Sequence, residues 1–127
     1  MTRIPANDRD IIEQAMYLPM VMTVLERDRI VFEKSPFKLN QPYLNLLEES
    51  FKAVQRDLKA ARDYMRANKI KVEEINRDDT FTMFLFLYKG YEERHNYFNP
   101  RIRNKVQELL EYYLYKRFEA KLKASPK

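Results

Sequence analysis

Cysteine and tryptophan are absent, and glycine and histidine occur once each, as Gly90 and His95. Without cysteine the chain has no disulfide scaffold, zinc finger, iron–sulfur cluster or thiol nucleophile. A loop that cradles phosphate needs several glycines so that backbone N–H groups can approach the ligand. One glycine leaves neither a Walker loop nor a dinucleotide fingerprint. The same scarcity argues against hairpin-rich β folds, whose tight turns require residues at positive φ. Long apolar runs are missing too. The longest, residues 83–88, is far short of the roughly 20 residues needed to cross a bilayer. The charged N-terminal segment lacks the apolar stretch of a signal peptide. The expectation is a cytoplasmic protein in a reducing compartment, not bound to membranes.

What is present is ample for a core. The 127 residues are 45% hydrophobic and 34% charged, with 9 Tyr and 8 Phe. This suits one globular domain over 1–127 and argues against disorder. The net charge is +5, and its placement matters more than its size. Lys116, Arg117, Lys121, Lys123 and Lys127 stand against a single Glu119 at the C-terminal end, so the remainder is close to neutral.

Periodicity predicts an all-α fold, a bundle of four main helices. The first covers about 8–34, capped by Asn7 or Asp8, and is kinked or broken at Pro19, which removes a hydrogen bond and crowds the preceding turn. The second, 42–68, has Pro42 in its first turn and Leu44, Leu47, Phe51, Val54, Leu58, Ala61 and Met65 three and four residues apart. Residues 70–79 read as a polar connection. Residues 79–98 read as a central helix, apolar on nearly every side. A buried strand is the rival reading of 81–88, set aside because no partner strand is evident. Asn99-Pro100 opens the fourth helix, 100–123.

The candidate sites are few. Glu92 and His95 form a Glu-x-x-His pair, the spacing by which helix bundles hold metal, but no second histidine exists to complete a centre, so no metal or other cofactor is expected. Arg101 and Arg103, with Asn99 and Asn104, crowd the start of the fourth helix, where exposed N–H groups and cations together suit an anion. Arg56, Lys59, Arg62 and Arg66 form a basic stripe on the second helix. With Lys116 and Arg117 they are candidates for following a phosphate backbone. On the fourth helix Tyr115, Phe118 and Leu122 lie off the main apolar face, a second face that requires cover from another element or another chain. No serine or carboxylate pair sits in a catalytic context. The reading that follows is a non-enzymatic, self-associating protein-interaction module acting through a protein partner, the fourth helix supplying the contact. Non-specific nucleic-acid binding through the basic helix faces is the alternative.

Overall fold

The computed structural model describes residues 4–119. Two long helices come first, α1 at Ala6–Glu33 and α2 at Gln41–Ala67. Three strands follow, β1 at Ile70–Arg77, β2 at Phe81–Tyr88 and β3 at Tyr91–Phe98. The chain then enters α3, Asn99–Glu111, which continues through a π-helical turn at Tyr112–Lys116. The fold is α+β rather than an all-α bundle, and the segment read as a helix over 79–98 is a hairpin.

The hairpin has clear physical causes. Lys89 and Gly90 have φ of 49° and 90°, the two consecutive left-handed residues of a tight type I′ turn. The single glycine therefore sits where a two-residue turn needs it most. The β1–β2 turn needs no glycine, because the Asp78 carboxylate accepts from the Thr80 and Phe81 N–H groups at 2.8 and 2.7 Å. Those two bonds hold the Asp78 carboxyl below its ordinary range. The partner strand for 81–88 is the segment read as a polar connection, together with the charged segment after Gly90. The strands form an antiparallel sheet in the order β1-β2-β3, with a bulge in β1 between Glu74 and Asn76.

The core lies between the helices and one face of this sheet. Ile12, Leu18, Val21 and Leu25 of α1 meet Val54 and Leu58 of α2. From β2, alternate residues Thr82, Phe84, Phe86 and Tyr88 are buried on the same side. A fully buried Phe contributes about 1.5–3 kcal/mol, and Phe86 is 0% exposed. Helix α1 runs through Pro19 without a break and begins earlier than Asn7, so Asp8 lies inside its first turn. It packs on α2, α3 and β1, which explains why its apolar residues occupy several sides. No helix among the described residues is long and apolar enough to cross a membrane.

Candidate functional site

Tyrosine hydroxyls bolt the inner face of the sheet to the helices. Asp8, only 7% exposed, accepts from Tyr64 of α2 at 2.6 Å and Tyr88 of β2 at 2.5 Å. These bonds lower the Asp8 pKa, and the bond to Asp8 pushes the Tyr88 hydroxyl up to about 12. Tyr97 of β3 donates to Glu13 of α1 at 2.9 Å and meets Tyr17 edge-on. Burial, then the Glu13 charge, raises the Tyr97 hydroxyl well above its ordinary range. His95 stacks on Phe86 with ring centroids 4.4 Å apart, and its Nε2 lies 2.9 Å from Glu93 Oε1. At the far end Thr82 donates to Asn99 Oδ1 at 2.7 Å, and Asn99 Nδ2 donates to the Asp78 carbonyl at 2.9 Å. The start of α3 is thereby tied to the β1–β2 turn.

With that face committed, the alternation of β2 sends Phe81, Met83, Leu85 and Leu87 the other way. Met83, Leu85 and Leu87 are half-buried but lie outside the hydrophobic core. Phe81 is 39% exposed and its ring packs on exposed Phe98 at 5.7 Å. Residues paired across an antiparallel ladder share a face, so the register identifies what flanks this stripe. Lys71 and Glu92 bracket Leu87, Glu73 and Arg94 bracket Leu85, and Asn76 and Asn96 bracket Met83. All six flanking residues are exposed. The outer face is an apolar stripe between two charged borders whose signs alternate along each strand and oppose across it.

The family described as YhjD protein matches residues 3–118, which spans all three helices and the sheet. The chain belongs to the YhjD protein family. It is 49% identical over 106 residues, 84% of this chain and 88% of the relative, to the Bacillus subtilis (strain 168) protein named "Uncharacterized protein YhjD". No solved structure matches the chain. Within this YhjD family member, the stripe and its borders all fall inside the matched residues.

The fold separates most of the residues singled out from sequence. Glu92 and His95 are three apart on a strand, not a helix, and face opposite sides of β3, so the Glu-x-x-His pair does not form a half-site. Among the described residues no group of three or more His, Cys, Asp or Glu could hold a metal ion. Arg101 and Asn104 line a cleft of about 800 Å³ with Arg9, Glu13, His95 and Tyr97, whereas Asn99 and Arg103 line a separate hollow beside β1. On α2, Lys59 and Arg66 share Asp63 at 2.8 and 3.3 Å, while Arg56 and Arg62 are exposed. Arg56 and Arg117 meet at a hollow that Asp57 also lines, and Lys116 pairs with Glu111 at 3.6 Å. Tyr115 and Phe118 are 46% and 43% exposed. The Tyr115 hydroxyl donates to Glu111 at 2.9 Å, and the Arg117 guanidinium covers the Phe118 ring at 4.2 Å. Leu122, Lys121 and Lys123 lie outside the described residues. The outer sheet face was missed. Its signal was the alternation Phe81, Met83, Leu85, Leu87 against Thr82, Phe84, Phe86, Tyr88, interrupted by Lys89-Gly90.

Proposed function

We propose that this protein is a non-enzymatic interaction module of the cytoplasm that self-associates by stacking the outer faces of two sheets. One observation carries the reading: the Phe81, Met83, Leu85, Leu87 stripe is left outside the core, between borders whose charges are complementary to a second copy of themselves. A two-fold axis between two stacked sheets, parallel to β2, sets β1 of one copy over β3 of the other. Lys71 then faces Glu92 of the second copy, and Glu73 faces its Arg94. Every border charge meets its opposite, which favours a like copy over an arbitrary partner. Strands of this length give a face of about 26 by 14 Å, at the small end for an interface, so the dimer is weak and dissociates on dilution.

Sedimentation equilibrium tests this on the full chain and on Leu85→Lys. The wild-type chain is expected to shift from monomer to dimer with rising concentration, and Leu85→Lys to stay monomeric with unchanged circular dichroism. A wild-type chain that stays monomeric, or a Leu85→Lys variant that dimerises equally well, overturns the proposal. If Tyr115→Ala with Phe118→Ala abolishes the dimer and Leu85→Lys does not, the contact belongs to α3 instead.

A further inference from the structure

A second feature lies on the other side of the α3 start. Arg27 of α1, Arg77 at the end of β1 and Arg103 of α3 line a hollow of about 440 Å³, with Thr23, Thr82 and Asn99 between them. No carboxylate lines it. Arg77 reaches Glu74 Oε1 at 2.6 Å, but Arg27 and Arg103 form no ion pair with a described residue. Three arginines from distant parts of the chain therefore line one hollow, two of them without a carboxylate partner among the described residues. An anion in the hollow would balance the charge of Arg27 and Arg103. The neutral groups between the arginines are fixed: the Thr82 hydroxyl is donated to Asn99, and the Thr23 hydroxyl to the Pro19 carbonyl at 3.1 Å.

We propose that this hollow binds a phosphate group carrying two negative charges. The planar fork of each guanidinium matches the oxygens of a phosphate, whose three terminal oxygens and double charge can accept from several arginines at once. The three arginines come from three elements and line one hollow instead of following one helix face, which suits a compact terminal phosphate rather than a nucleic-acid backbone. Such a group is presented either by a phosphorylated small molecule or by a lipid headgroup.

Titration calorimetry of the full chain with pyrophosphate, and co-sedimentation with phosphatidylcholine vesicles with and without phosphatidic acid, separate the two sources. The expected result is saturable binding of pyrophosphate, weakened about tenfold or more by Arg27→Gln and by Arg103→Gln, as befits loss of a charge-assisted contact. Arg62→Gln on α2 leaves it unchanged. Binding confined to vesicles with phosphatidic acid, with the same arginine dependence, assigns the phosphate to a lipid. Failure to bind either probe overturns the proposal. So does an Arg62→Gln variant that weakens binding as much as Arg27→Gln, since the attraction would then be diffuse surface charge. Circular dichroism melts of each variant establish that the fold is intact, and the arginines are exposed side chains whose loss leaves the core untouched.

Discussion

Asp8 is a nearly buried carboxylate satisfied by two phenols from different elements, and its ionisation is linked to folding. Its folded pKa is lowered, first by the Tyr64 and then by the Tyr88 hydroxyl. The stability it contributes is therefore fully present above the unfolded value near 3.8 and is lost as pH falls through the lower folded value. Urea unfolding followed from pH 7 downwards should hold its midpoint to about pH 5 and then decline. Asp8→Asn should start lower at neutral pH and decline less, and equally steep acid limbs would remove Asp8 from the account. Tyr88 has the opposite sign. Its pKa rises from 10.0 to about 12, so its contribution is present below pH 10.0 and fades as pH climbs towards 12. Phe86, 0% exposed and in contact with the His95 ring, has no titration to report. Phe86→Ala should cost about 3–5 kcal/mol, measured as a shift in the urea midpoint at constant slope.

The element boundaries rest on backbone conformations that few residue types accept. Lys69 ends α2 at φ 58°, the left-handed position at which glycine is the usual helix stop. Lys69→Gly should raise stability by about 1 kcal/mol, since the strain removed exceeds the entropy gained by the unfolded chain. Gly90→Ala should lower it by about 1 kcal/mol or more. A Cβ there would meet nothing within 4 Å, so the cost is torsional, and thermal denaturation would show it. These positions also explain what was legible in the sequence. Helix α2 is written in its spacing because one side is buried and the other charged, a pattern that strands do not share. The sheet is harder to read because its strands hide for different reasons. β2 is apolar at every position but one, so its period of two disappears. β1 shows Ile70 and Val72 in phase, but the bulge puts Ile75 out of phase. β3 alternates Glu93, His95 and Tyr97 inward, a half-buried face with two polar members that no hydrophobicity pattern marks. Glycine scarcity misled for a specific reason. A meander of three strands has two turns, and the Asp78 carboxylate built one of them without glycine. The arginine hollow was invisible as a set, because Arg27, Arg77 and Arg103 share it only after the fold places both β1 and α3 against α1.

At the scale of the whole molecule, the border charges of the sheet do more than permit a dimer; they allow its symmetry axis to be identified. A two-fold axis parallel to β2 pairs Lys71 with Glu92 and Glu73 with Arg94 of the second copy. A two-fold axis in the same plane but perpendicular to the strands, between the Leu85 and Leu87 rows, pairs Lys71 with Glu73 and Glu92 with Arg94 instead. Both satisfy all four charges, so the wild-type chain does not distinguish them by stability alone. Arg94→Glu damages either arrangement, placing like charges opposite one another twice per dimer, and is expected to weaken association about tenfold or more at low ionic strength. The double change Glu73→Arg with Arg94→Glu separates them. It gives both rows the same polarity across the sheet. The parallel axis then keeps opposite charges face to face, since Arg at 73 meets Glu at 94. The perpendicular axis is left with Lys71 against Arg and Glu92 against Glu. Sedimentation equilibrium of the double variant should show recovery to near wild-type association, because the parallel axis superimposes the two apolar stripes along their length, whereas the perpendicular axis overlaps them only at the Leu85 and Leu87 rows. Association as weak as in Arg94→Glu alone would assign the perpendicular axis. Association insensitive to both changes would mean that the charges do not lie in the interface, and stacking through this face would fall with them.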